Sequence, residues 1–232
     1  MASRNSVKIY TPDSYFHVYN RGVEQRNIFQ DEQDFSVFLS YVQTYITPKD
    51  NQVFYDILTS PQSTSKDKDT ALKMINLKNY YLRVQLICYA LLPNHFHMLL
   101  YQREPVINGF MNSLGTRYAM YFNRKYKRKG VLFQDVYKAV QVDSDEQLLY
   151  LSQYIHTNPV KAVGIPIHRW EESPYPSSLP EYLGLRNTDW ISKECILDYF
   201  SKTNPGDTYE KFLGIPMDLE RIANSAIDIE SE

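Results

Sequence analysis

The chain has 232 residues, 43% of them hydrophobic, with 25 Lys plus Arg against 27 Asp plus Glu for a formal net charge of −2. That length holds one domain with an elaborated tail and can bury a full core, and the balance of charge excludes a histone-like binder acting through bulk positive charge. Two cysteines, Cys88 and Cys195, give neither a disulfide framework nor a zinc spacing, so a reducing compartment is expected. The first eight residues carry no apolar signal core and no run approaches ~18 apolar residues, so the expectation is a cytoplasmic protein with no membrane partner.

Tyr15 to Tyr19 is an aromatic and β-branched run ended by Asn20-Arg21-Gly22, which predicts a strand and a turn. From Asp31, the residues Phe35, Phe38, Leu39, Val42 and Ile46 recur at three and four positions, the stripe of a helix that Pro48 closes. Pro61 to Thr70 holds almost nothing apolar and is expected to be an exposed loop, part of an insertion near 48–80. Leu82 to Leu92 and His95 to Tyr101 flank Pro93-Asn94 and predict an antiparallel hairpin or bulged turn. Ile107, Phe110, Met111, Leu114, Tyr118, Tyr121 and Phe122 repeat with helical period to about Tyr126, and Gly130 follows. Tyr137 to Val142 predicts a further strand. Ser144 with Gln147 caps a helix running to about Asn158. Beyond Gly164 the composition turns to Pro, Ser and Trp, with helices expected from Ser192 to Phe200 and from Tyr209 to Leu213. The order implies an α+β sandwich, four antiparallel strands backed by helices, with residues 1–165 as the catalytic unit and 166–232 as a C-terminal appendage.

Three constellations carry chemistry. His95 and His97 lie at i and i+2 of a strand, so both imidazoles leave one face while Phe96 leaves the other. The spacing permits a shared divalent cation without requiring one, since two half-buried histidines on a sheet face read the same way. Tyr154 and Asn158 are one helical turn apart, which lets a phenol and an amide oxygen face one site, with Tyr150 as a rival nucleophile one turn earlier. Arg117, Arg124, Lys125, Lys127, Arg128 and Lys129 interleave with Tyr118, Tyr121, Phe122 and Tyr126, the mixture of cations and rings that binds single-stranded nucleic acid but also decorates solvated helix ends. Asp218, Glu220, Asp228, Glu230 and Glu232 hide this patch in the average charge.

The strings Tyr15-Phe16-His17-Val18-Tyr19-Asn20-Arg21-Gly22, Leu92-Pro93-Asn94-His95-Phe96-His97-Met98-Leu99-Leu100, Gly130-Val131-Leu132-Phe133-Gln134 and Tyr154-Ile155-His156-Thr157-Asn158-Pro159-Val160-Lys161 occur in this order. Together they resemble the single-tyrosine HUH transposases, in the branch of REP-associated tyrosine transposases. The resemblance implies a ferredoxin-like core, His95, His97 and Asn158 around Mg²⁺ or Mn²⁺, and Tyr154 attacking single-stranded DNA to form a 5′-phosphotyrosine link. It further implies hairpin DNA as the partner, contacted by the basic residues from Arg117 to Lys129, and an enzyme working as a monomer or a homodimer, in cis or in trans. Two other readings remain at this point: a non-cutting hairpin-binding protein descended from such enzymes, and a metal-dependent phosphodiesterase using water.

Overall fold

The computed structural model describes residues 10–203 and 208–216, so the acidic C-terminus from Asp218 onward lies outside the described residues. The strands are β1 (Ser14–Arg21), β2 (Val84–Leu92), β3 (His95–Gln102) and β4 (Lys138–Val142). The helices are α1 (Glu32–Ile46), α2 (Gln52–Thr59), α3 (Ser65–Asn76), α4 (Ile107–Lys125), α5 (Asp145–Ala162), α6 (Leu179–Tyr182), α7 (Glu194–Thr203) and α8 (Tyr209–Leu213). The sheet order is β2-β3-β1-β4 with every pairing antiparallel. This is the expected ferredoxin-like sandwich with C-terminal helices.

Strand alternation sorts the sheet into two faces. Phe16, Val18, Phe96, Met98 and Leu100 pack into one core with Phe38 and Val42 of α1 and Phe110, Leu114 and Tyr118 of α4. Leu99 joins a second core with Leu151, Tyr154 and Ile155 of α5 and with Leu179, Tyr182, Ile196, Tyr209 and Phe212 from the C-terminal segment. The register places Tyr19 opposite His97 and Arg21 opposite His95, so all four share the α5 face. A register shift between Leu86 and Cys88 bulges β2. The extra residue turns both Ile87 and Cys88 toward the α5 core and leaves the small Ala90 opposite His97.

β2 is an edge strand, and the C-terminal segment covers it. Leu91 N donates to Pro176 O at 2.9 Å and Ser192 N donates to Leu86 O at 2.8 Å, which blunts an edge that would otherwise pair with another chain. α5 therefore lies between the sheet and this segment, which is why every residue from Leu151 to Val160 is buried.

Three expectations need correction. The insertion is helical rather than a loop over residues 61–70: α2 and α3 form a hairpin, and Thr64 and Asp67 close a capping box at the start of α3. This hairpin buries only Ala71, and residues 61–70 hold almost no apolar side chains, so no apolar stripe marks the start of α3. The last core helix does not stop at Asn158 but runs through Pro159 to Ala162. Proline removes one intrahelical bond, but Pro159 is buried between well-packed neighbours and its carbonyl accepts from Ser173 Oγ at 3.0 Å. A 3-10 turn at Ile167–Glu172 and the short α6 were not anticipated in the Pro- and Ser-rich stretch.

Gly22 ends β1 and joins two segments around the histidine strand: its N–H donates to Asn94 O at 2.8 Å, while Arg21 O accepts from Gln134 N at 2.9 Å. A Cβ at Gly22 would meet Arg26 O at 2.1 Å and the Ile28 side chain at 2.9 Å. Gly22→Ala is expected to destabilise the fold by about 2 kcal/mol through forced backbone displacement, measured by urea unfolding.

Candidate active site

The hairpin turn at Pro93-Asn94 launches His95 and His97 onto one face of β3, with ring centroids 5.1 Å apart. His95 Nδ1 lies 2.7 Å from Asn94 Oδ1, an acceptor, so that nitrogen carries the proton and Nε2 keeps its lone pair. His97 is fully buried; its Nδ1 lies 2.9 Å from Nε2 of His17 on β1. His97 Nε2 is buried with no hydrogen-bond partner. Burial, followed by the charge of Arg21, pushes the His95 pKa down to about 4. Burial also holds His97 well below the ordinary histidine range, helped by His17 and His95. Both rings are therefore neutral at physiological pH, the form that ligates metals.

α5 brings Tyr154 to this pair. Its ring stands edge-on to His97 with centroids 5.5 Å apart at 87°, and to His17 at 6.3 Å and 81°. Asn158, one turn on, donates Nδ2 to Tyr154 O at 3.3 Å, which leaves Oδ1 able to accept or to ligate. Lys161 lies at i+7 on the same helical stripe, with its ammonium 5.6 Å from the Tyr154 ring centroid. Tyr154 is 1% exposed and His97 fully buried, whereas His95 and Arg21 are half-buried, so the site opens to solvent on the side of the hairpin turn. Among the described residues no group of three His, Cys, Asp or Glu side chains is arranged for a metal. The available donors are two imidazoles and one amide oxygen, and the orphaned buried Nε2 of His97 fits a cation that this set would hold.

Residues 60–158, which span the hairpin, both histidines, α4 and α5 as far as Asn158, match the family model described as transposase, IS200-like. Over that stretch the chain is similar to the IS200-like transposases. Three solved structures are similar to this chain at low identity. A REP-associated tyrosine transposase bound to a REP hairpin shares 12% identity over 81% of this chain and 91% of that one, with a TM-score of 0.44. A candidate transposase from Deinococcus radiodurans R1 shares 16% over 66% and 96%, with a TM-score of 0.35. The tRNA(His) guanylyltransferase of Saccharomyces cerevisiae shares 14% over 89% and 83%, with a TM-score of 0.26. No curated protein matches the chain. No helix among the described residues is long and apolar enough to cross a membrane.

The other sequence candidates scatter. Tyr150 packs its ring on Phe212 of α8 at 5.5 Å rather than on a histidine. Lys125 is held by Asp31 at 2.7 Å and by the fully buried Asp34 at 2.8 Å, so its charge ties the C-terminus of α4 to the N-terminus of α1. Arg117 stacks over Tyr41 at 4.0 Å. Arg128 is half-buried against Phe122 at 5.7 Å and reaches Asn123 Oδ1 at 3.2 Å. Arg124, Lys127 and Lys129 are exposed. Lys161 escaped assignment from sequence, although its spacing from Tyr154 was a signal. His17, with Arg21, could be read from sequence as lining the same cleft, but core packing explained His17 equally well.

His156 faces the C-terminal segment and not the site. Its Nδ1 lies 2.7 Å from Tyr209 Oη and its Nε2 lies 2.8 Å from Ser178 Oγ. Burial pushes its pKa down to about 3. The native state thus binds fewer protons than the unfolded chain, whose histidine titrates near ~6.5. The stability this neutral ring contributes is complete above that value and falls as pH drops toward about 3. His156→Gln is expected to flatten the pH dependence of unfolding free energy in that window by about 1 kcal/mol per pH unit, read by urea titrations at stepped pH.

Proposed function

We propose that this protein is a transposase that nicks and rejoins single-stranded DNA at hairpin ends through a covalent tyrosine link, as the REP-associated branch it resembles does. The observation that carries the reading is Tyr154 standing edge-on to His97 within one chain, 5.5 Å between centroids. The phenolic oxygen of Tyr154 attacks the scissile phosphorus, the bond from phosphorus to the 3′ oxygen breaks, and the phenolic proton is lost while the leaving oxygen gains one to become a free 3′-OH. The 5′-phosphate stays on Tyr154, which conserves the bond for attack by an incoming 3′-OH. His95, His97 and Asn158 would hold a divalent cation, Mg²⁺ or Mn²⁺, and that ion supplies electrophilic stabilisation of the charge developing on the phosphate. Lys161 places a further positive charge beside the Tyr154 ring, where it can offset charge developing on the phosphate. The approach of Tyr154 to His97 within one chain supports catalysis in cis by a monomer. Arg124, Lys127 and Lys129, with Arg117 and Arg128, contact the hairpin backbone, whereas Lys125 is engaged by Asp31 and Asp34. Residues 1–165 form the catalytic unit, and the segment from 166 braces α5.

The test is a single-stranded hairpin oligonucleotide, labelled at either end, incubated with the full chain and Mn²⁺. A protein adduct carrying the 3′-side fragment and a free 3′-OH on the other is the expected outcome. Binding with no product identifies a non-cutting hairpin protein, and cleavage with no adduct identifies a hydrolytic phosphodiesterase. Either result overturns the proposal.

A further inference from the structure

We infer that His17 is a positioning residue that sets the tautomer of His97, so that the buried Nε2 of His97 presents a lone pair to the cation; this rests on the metal-site reading above. Strand pairing puts His17 opposite Leu99, on the same sheet face as His97 and diagonal to it. The two rings lie 14° from parallel, with His17 Nε2 and His97 Nδ1 2.9 Å apart, and both residues are fully buried.

That short contact has room for one proton, and its position decides what His97 offers on its other side. If His17 Nε2 donates, His97 accepts at Nδ1, its own proton sits on Nε2, and a buried N–H is left with no acceptor. Such an unsatisfied buried donor carries the full penalty of its desolvation. If His97 Nδ1 donates, His17 is protonated on its own Nδ1, and His97 Nε2 becomes the acceptor that a cation needs. The partner of His95 points to the second arrangement. Asn94 Oδ1 takes the Nδ1 proton of His95 at 2.7 Å, so both imidazoles are held by Nδ1, which leaves Nε2 of each for another partner. A ligating histidine whose other nitrogen is anchored in this way binds metal more tightly, and loss of such an anchor costs about 10–100-fold in affinity.

The test uses the full chain with ¹⁵N-labelled histidine and free Mn²⁺ followed by electron paramagnetic resonance. In the wild type without metal, His97 is expected to be protonated at Nδ1 and bare at Nε2. His17→Phe, which keeps a ring but no acceptor, should lower Mn²⁺ affinity by about 10–100-fold and let His97 populate both tautomers. His17→Gln, whose Oε1 can accept where Nε2 stood, should stay within about threefold of wild type. A folded His17→Phe protein with wild-type Mn²⁺ affinity, or a wild type with His97 protonated at Nε2, overturns the inference. If His17→Phe does not fold, the wild-type tautomer and the glutamine variant decide. A wild type that binds no Mn²⁺ sinks the metal reading, and the tautomer measurement still decides the role of His17.

Discussion

Tyr154→Phe is expected to abolish the protein–DNA adduct and to lower cleavage of a hairpin oligonucleotide by about a thousandfold or more, because the only atom removed is the proposed nucleophile. The ring remains to fill its place between His97, His17 and the second core, so the unfolding midpoint should stay close to wild type. Tyr150→Phe should leave adduct formation intact, since Tyr150 packs on Phe212 at 5.5 Å and serves the join between α5 and α8. Denaturing gels of the labelled oligonucleotide, run beside thermal unfolding of each variant, separate chemistry from folding.

His97→Ala and His95→Ala should lose Mn²⁺-dependent cleavage to a similar extent, on the order of a hundredfold or more, yet differ in stability. His97 is fully buried and hydrogen-bonded to His17 at 2.9 Å. Truncating it opens a cavity beside Tyr154 and takes that bond away from a buried imidazole, with an expected loss of about 3 kcal/mol. His95 is half-buried at the hairpin turn, where its contact runs to the adjacent Asn94, so His95→Ala should cost about 1 kcal/mol. Urea unfolding distinguishes the two. Equal stability losses would mean that His97 is not the anchored, interior member of the pair.

Much of the fold was legible because local periodicity and tertiary burial agree in it. The stripe from Phe35 to Ile46, the stripe from Ile107 to Phe122 and the apolar runs around Pro93-Asn94 each match one face of the sandwich. The pairing of His95 with His97 followed from strand geometry, and that of Tyr154 with Asn158 from helix geometry, since both depend on spacing within one element. What was not legible depends on contacts between elements. His17 reaches His97 only through the register of β1 against β3. Lys125 belonged to a run of cations by sequence, but Asp31 and Asp34, far away in the chain, capture it. Pro159 signalled a helix end, and burial of α5 between the sheet and the C-terminal segment overrode it. At the start of α3 the polar composition concealed a helix whose one clear mark was the Thr64 and Asp67 capping box.

The central claim is that the phenol of Tyr154 takes the DNA. It is tested most directly by trapping the adduct on a hairpin oligonucleotide, digesting the protein, and locating the nucleotide-bearing residue by tandem mass spectrometry. The expected result is a 5′-phosphonucleotide on Tyr154 and on no other tyrosine. A modification on Tyr150, or cleaved DNA with every tyrosine unmodified, contradicts it.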